Sequence, residues 1–106
     1  MDSKYSVSCK DDVVKVELVG RLDATNAEGL QGELKKFTGQ KIAKLVFFAR
    51  DLEYISSAGL RVIIFAKQKI GVDAHLFLVG AQEVILNVIK MTGLDNFMTI
   101  QDAYTE

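Results

Sequence analysis

The stretch Lys41–Ile70, "KIAKLVFFARDLEYISSAGLRVIIFAKQKI", decides the fold of this chain. Its first ten residues, 41–50, are a nearly continuous apolar run of strand length, which is typical of an inner strand covered on both faces. The span 57–70 is also mostly apolar but has the length of a helix, and Gly71 follows it as the predicted helix stop. A buried strand that leads into a buried helix indicates a crossover unit of an α/β domain.

The segments before this stretch predict a hairpin and an amphipathic helix. "VVKVELVG" (13–20) alternates between apolar and charged residues and predicts a half-buried strand, and "KYSVSC" (4–9) predicts a weaker strand joined to it by a turn at "KDD". In the span 23–37 the apolar residues Ala27, Leu30 and Leu34 share one helical face with Phe37. Thr25, with a glutamate three residues later, predicts a capping box and hence a helix that starts there.

The segments after this stretch repeat the alternation of strand and helix. "AHLFLVG" (74–80) predicts a short buried strand, and "FMTI" (97–100) predicts a last one. "AQEVILNVIKMTG" (81–93) predicts a helix with Val84, Ile85, Val88 and Ile89 on one face and Gly93 as its left-handed C-terminal cap. The order β-β-α-β-α-β-α-β predicts an α/β fold, a mixed but mainly parallel sheet of four or five strands with an N-terminal hairpin and three or four helices. The predicted core is Val14, Val16, Leu18, Leu30, Leu34, Leu45, Phe47, Leu60, Ile63, Ile64, Leu76, Leu78, Ile85 and Ile89.

Length and composition narrow the class of protein. At 106 residues we expect a single domain over 1–106. The net charge of -1 argues against direct nucleic-acid binding, and no apolar run is long enough to span a membrane, so a cytoplasmic protein is the expectation. With one cysteine and one histidine, neither an internal disulfide nor a structural zinc is expected, and we predict no metal and no cofactor. We interpret Cys9 as a strand residue and His75 as a partly exposed strand histidine rather than a catalytic base.

Two places remain as candidates for function. Asp23 follows a predicted strand, and if Thr25 caps the helix its carboxylate is spare at an end of the sheet where sites gather; the alternative is a solvated turn residue or another cap. Ser56 and Ser57 precede a helix, where one hydroxyl suffices as a cap. The small residues after them, Ala58 and Gly59, predict a first turn open to a partner, and a helix N-terminus favours an added phosphate.

Three segments of the chain resemble the STAS domains of the anti-sigma factor antagonist family. They are "GRLDATNAEGLQGEL" after the second strand, "DLEYISSAGLRVIIFAKQKI" at the second helix, and "NVIKMTGLDNFMTI" near the C-terminus. The resemblance implies that Ser57, two residues before Gly59, is the phosphate acceptor and that Asp23 is the acidic residue beside it. Ser56 stands where these proteins commonly have aspartate, and Ala58 where they have serine or threonine.

The resemblance also implies a function and its partners. The unphosphorylated protein would sequester an anti-sigma factor that is a GHKL-type serine kinase, and so free a sigma factor. Phosphorylation would break the complex and a PP2C-type phosphatase would restore it, with Arg61 as a charge at the edge of the contact. We expect the protein to be a monomer or weak dimer. We do not expect it to be an enzyme. The alternatives are a small STAS subunit of a lipid-transport ABC system and a ligand-sensing STAS domain.

Overall fold

One mixed β-sheet, with its strands in the order β1-β2-β3-β4-β5, carries the structure. The computed structural model describes residues 3–70 and 72–104. The strands are β1 (Lys4–Lys10), β2 (Val13–Leu22), β3 (Lys44–Ile55), β4 (His75–Val79) and β5 (Thr99–Gln101). β1 pairs antiparallel with β2, and the later neighbours pair in parallel. The predicted mainly parallel sheet with an N-terminal hairpin is confirmed.

Three α-helices connect the strands, and the predicted order of elements is confirmed. They are α1 (Ala27–Lys35), α2 (Ser57–Lys69) and α3 (Glu83–Thr92). Gly93 has φ of 78° and closes α3 in the left-handed conformation, as predicted. A 3-10 turn at Leu94–Phe97 follows, so the last strand begins at Thr99 instead of at Phe97. Gly71, the predicted helix stop, lies outside the described residues.

The predicted start of α1 at Thr25 is wrong. The helix begins at Ala27, and its N-cap residue, Asn26, makes no side-chain capping hydrogen bond. The amide of Thr25 donates to the Asp23 carboxylate at 3.0 Å, and the Thr25 hydroxyl donates to the same oxygen. The turn therefore uses an aspartate that binds its own backbone two residues on, a local structure that competes with a capping box.

The helices pack on one face of the sheet, where the buried side chains form one hydrophobic cluster. Val46 and Val79 are also buried but are not part of this cluster. The predicted inward face of β2 is confirmed, because Val14, Val16 and Leu18 are almost fully buried. One residue of the predicted core is placed wrongly, because Ile64 is 36% exposed. Val84, predicted to share the apolar face of α3, is 53% exposed. α2 and α3 are each covered by the sheet on one side only, so these apolar residues lie on the outer side.

β3 is longer than predicted, and its length positions the site. It continues past Arg50 to Ile55, because β2 runs beside it in parallel as far as Leu22 opposite Ile55. Leu52 and Ile55 are buried in this extension. The chain then enters α2 directly, so the carboxyl ends of β2 and β3 and the first turn of α2 meet at one edge of the sheet.

Candidate functional site

The carboxyl ends of β2 and β3 bring two of the predicted site segments side by side. Leu22 lies opposite Ile55 in the parallel register, and the next amide, that of Ser56, donates to the Leu22 carbonyl at 2.9 Å. The turn that begins at Asp23 therefore lies beside the start of α2. Sites of open α/β sheets form at such strand ends.

The two adjacent serines have different structural roles. Ser56 is the N-cap of α2, with extended backbone angles, and its hydroxyl oxygen accepts a hydrogen bond from the amide of Gly59 at 3.4 Å. Ser57 is the first residue of the helix and is exposed. Its hydroxyl has no hydrogen-bond partner among the described residues. The cap is therefore supplied by Ser56, and the Ser57 hydroxyl faces solvent at the positive end of the helix dipole.

Gly59 is buried, so the prediction that it opens the first turn of α2 to a partner is wrong. A Cβ atom at this position would lie 2.7 Å from the Leu22 carbonyl oxygen and 2.8 Å from Cγ1 of Ile55. Real Cβ atoms essentially never make contacts this short. The glycine is there because α2 crosses the strand ends at close range, and this approach holds Ser57 at the surface beside the Asp23 turn. Ala58, by contrast, is half-buried.

The Asp23 carboxylate is not spare, which agrees with the alternative prediction that Asp23 is a turn residue. One carboxylate oxygen accepts from both the amide and the hydroxyl of Thr25, and the other lies 3.4 Å from Nε of Arg21. The two hydrogen bonds from Thr25, with a smaller contribution from the Arg21 guanidinium, hold the pKa of Asp23 below its ordinary value. Asn26 secures the turn further, because its side chain accepts from the Asp23 amide at 2.9 Å and donates to the Arg21 carbonyl at 2.8 Å. The carboxylate stays charged at neutral pH and is held in one orientation.

Arg21 and Tyr54 are part of this edge, although the sequence did not single them out as a pair. The two residues are opposite each other in the β2–β3 register, and the Arg21 guanidinium carbon lies 4.1 Å from the centre of the Tyr54 ring. This is the geometry of a cation–π contact. The only sequence signal is that Arg21 and Tyr54 are each polar positions near a strand end, and their pairing depends on the register of the two strands.

Arg61 extends the candidate site along α2. It is exposed, one turn after Ser57, and lines a shallow groove of about 210 Å³ between α1 and α2. The groove is also lined by Ala24, Ala27, Glu28, Gln31, Ala58 and Val62. No described residue forms an ion pair with Arg61. A partner that binds in the groove would therefore contact mostly small residues, together with the guanidinium group of Arg61 and the carboxylate of Glu28.

The described part of the chain shows no arrangement for metal or nucleophilic catalysis. Within it, no three His, Cys, Asp or Glu side chains are close enough to hold a metal ion. His75 is exposed at the start of β4, at the amino-terminal edge of the parallel strands, whereas Ser57 follows their carboxyl-terminal edge. His75 therefore cannot serve as a base for Ser57. Over residues 3–70 and 72–104, no helix is long and apolar enough to cross a membrane.

Comparisons with known proteins agree on one family. The family model for the STAS domain matches residues 4–106. BtrV of Bordetella bronchiseptica, provisionally named an anti-sigma factor antagonist, is 35% identical over 91 residues, which cover 85% of this chain and 78% of BtrV. The anti-sigma-F factor antagonist RsfB of Mycobacterium tuberculosis is 25% identical over 104 residues, covering 94% of this chain and 85% of RsfB. The crystal structure of an anti-sigma factor antagonist from Mycobacterium paratuberculosis superposes with a TM-score of 0.81 at 22% identity, over 96% of this chain and 87% of that one.

Proposed function

Because the chain belongs to the STAS domain family, we propose that it is an anti-sigma factor antagonist, a regulatory module that binds an anti-sigma factor and thereby frees a sigma factor. The names of BtrV and RsfB support this role. In this proposal residues 1–106 are one STAS domain that acts by binding in the cytoplasm and catalyses no reaction.

Binding is switched by phosphorylation of Ser57. This proposal rests on the different structural roles of the two serines. Ser56 caps α2, whereas the Ser57 hydroxyl is exposed and makes no hydrogen bond with any described residue. A kinase can therefore modify Ser57 without removing the cap. The amides at the start of a helix and the positive end of its dipole stabilise an added phosphate, so the domain stays folded when it is modified.

The phosphate acts on the partner rather than on the fold. It adds about -1.5 to -2 charges at neutral pH to a surface that would otherwise be in close contact. The carboxylate of Asp23, held beside the start of α2, adds negative charge to the same edge. Repulsion and the cost of burying the phosphate then break the complex. The kinase is the anti-sigma factor itself, of the GHKL type, and a PP2C-type phosphatase restores binding.

The contact surface is centred on the edge where β2, β3 and α2 meet. It comprises the turn at Asp23, the exposed ring of Tyr54, the serine pair, and Arg61 with the groove beside it. Gly59 contributes indirectly, because its missing side chain lets α2 lie close to the strands. Asp23, Tyr54, Ser57 and Arg61 are outside the hydrophobic core, so a partner can contact them without competing with packing.

Phosphate transfer tests the assignment of the acceptor. The protein is incubated with ATP and the serine-kinase anti-sigma factor from the same genome, and the intact mass and the modified peptide are measured. One phosphate is expected on Ser57. Ser57→Ala should remove it, and Ser56→Ala should retain it, because its loss weakens the cap and leaves the acceptor in place. Phosphate on Ser56 would overturn the assignment, and no phosphate on either serine would overturn the switch.

Partner binding tests the surface separately. Arg61→Glu should weaken the complex with the unphosphorylated protein at least about tenfold, because reversal of a contact charge introduces repulsion. The matched control is Lys41→Glu, an equal charge change at an exposed lysine just before β3, at the opposite edge of the sheet. Equal effects of the two variants in calorimetric titrations would place the contact elsewhere.

A further inference from the structure

The proposed contact surface includes Tyr54 but not Arg21, with which Tyr54 forms an exposed pair. The two residues are opposite each other in the parallel register, and the residues that follow them, Leu22 and Ile55, belong to the hydrophobic core. Because successive residues of a strand point to opposite faces, Arg21 and Tyr54 project from the face of the sheet that the helices leave open. The pair therefore continues the surface of the Asp23 turn around the edge of the sheet.

The Arg21 guanidinium is held on two sides. Its carbon lies 4.1 Å from the centre of the Tyr54 ring, and its Nε atom lies 3.4 Å from Oδ2 of Asp23. Asp23 is itself fixed, because the amide and the hydroxyl of Thr25 donate to its other carboxylate oxygen. A long side chain ordinarily loses rotamer freedom when it binds a partner. The ring and the carboxylate restrict Arg21 before a partner arrives, so that less entropy remains to be lost on binding.

The terminal edge of the same guanidinium group is available to a partner. An arginine that stacks on an aromatic ring contacts it through its flat face, which leaves the N–H donors in its plane accessible. Nε is directed to Asp23, but no described residue accepts a hydrogen bond from Nη1 or Nη2 of Arg21. The Arg21 side chain is 57% exposed and Tyr54 is 42% exposed. The pair thus presents to solvent a fork of two nitrogens that matches the two oxygens of a carboxylate.

We propose that Arg21 and Tyr54 determine which anti-sigma factor the protein binds, by taking the carboxylate of an aspartate or glutamate on the surface of that partner. This inference rests on the proposed function. The partner's carboxylate accepts from Nη1 and Nη2 of Arg21, and the exposed part of the Tyr54 ring packs against the apolar stem of the same side chain. Tyrosine and arginine are enriched among the residues that dominate binding energies. An anti-sigma factor with a lysine or arginine at this point is rejected, because like charges meet in the contact.

Calorimetric titration of the unphosphorylated protein with the anti-sigma factor from the same genome tests this inference. Arg21→Lys keeps the charge but removes the fork and the flat stacking surface, and it should weaken binding at least about tenfold. Tyr54→Leu should also weaken binding, because the guanidinium group is then no longer held. The matched control is Arg50→Lys, at an exposed arginine outside the contact surface that donates to the Asp102 carbonyl, and it should leave the affinity unchanged. Equal affinities of the Arg21→Lys variant and the parent would overturn the inference.

Double-mutant cycles identify the carboxylate on the partner. Each exposed aspartate and glutamate of the anti-sigma factor is replaced by its amide, alone and together with Arg21→Lys. For one of them, the combined loss of affinity should be smaller than the product of the two single losses by at least about fivefold. A change that only disturbed the Asp23 turn would couple to no single residue of the partner, so the absence of coupling would overturn the inference. If the parent protein did not bind the anti-sigma factor at all, the proposed function would fail and this inference with it, whereas binding that is indifferent to Arg21 would refute the inference alone.

Discussion

Replacement of Gly59 by alanine tests whether α2 lies as close to the strand ends as the structure places it. The added Cβ atom would be 2.7 Å from the Leu22 carbonyl oxygen, 2.8 Å from Cγ1 of Ile55 and 2.9 Å from Cγ of Leu22. One of these neighbours is backbone and the others are buried, so none can swing away into solvent. The helix must move outward by at least about half an ångström before these contacts approach ordinary distances.

The expected magnitude is the difference between two opposing effects. Overpacking of this kind costs about 1–3 kcal/mol. Alanine is the better helix former and returns up to about 1 kcal/mol. We therefore expect Gly59→Ala to lower the free energy of unfolding by about 1–2 kcal/mol, which for a domain of this size lowers the Tm by roughly 5 °C or more.

Gly32→Ala is the matched control for this substitution. Gly32 also lies within a helix, but a Cβ atom there would meet no atom within 4 Å. This variant should gain about 0.5–1 kcal/mol, because it restricts the unfolded chain and meets no obstacle. Both variants are compared by urea denaturation and thermal unfolding. If Gly59→Ala were as stable as Gly32→Ala, α2 would not be in close contact with Leu22, and the account of how Ser57 is positioned would fail.

Four further substitutions probe three separate contacts. Ser56→Ala should lower the free energy of unfolding by about 0.5–2 kcal/mol through loss of the cap, whereas Ser57→Ala should change it by less than about 0.5 kcal/mol; urea denaturation that showed the reverse order would assign the cap to Ser57. Thr25→Ala should raise the pKa of Asp23 toward its ordinary value of 3.8, as followed by ¹³C carboxyl shifts. A carboxyl group whose pKa is lower in the folded protein stabilises the fold above its ordinary pKa, and this contribution is lost as the pH falls through the pKa of the folded protein. The variant should therefore lose less stability than the parent between about pH 5 and pH 2. An unchanged pKa would mean that Thr25 does not hold the carboxylate. Tyr104→Ala should lower the free energy of unfolding by about 1–2 kcal/mol, because it removes the edge-on contacts of this ring with Phe48 and Phe77. An unaffected Tm would show that the ring does not pack on the sheet.

Local patterns along the chain were enough to predict the elements and their order. The alternation in β2 identified its buried face, because residues two apart on a strand share a face whatever the strand pairs with. The apolar run of β3 indicated an inner strand, and β3 does lie between β2 and β4, although the helices cover only one of its faces. Gly93 was predicted as a left-handed cap because a residue without Cβ adopts positive φ at little cost.

Predictions that depended on a neighbour distant in sequence were less successful. Ile64 was placed in the core because it belongs to an apolar helix, yet only one side of α2 meets the sheet. A spare carboxylate at Asp23 depended on a capping box at Thr25, and a turn residue was the alternative. The structure instead joins it to Thr25 and Arg21.

The candidate site shows the same division between sequence and tertiary structure. The two hydroxyls before a helix and the family pattern pointed to Ser56 and Ser57 from the sequence alone. The structure was needed to show which serine caps the helix and why a glycine follows at position 59. Both depend on the close approach of α2 to Leu22, a contact between segments more than thirty residues apart. The proximity of lysines to the Tyr104 ring could likewise not be predicted from the sequence, because these residues are adjacent only through strand register and through the path of the chain after β5. Periodicity and caps act within a few residues and can be detected locally, whereas register and helix packing are set by the whole hydrophobic core.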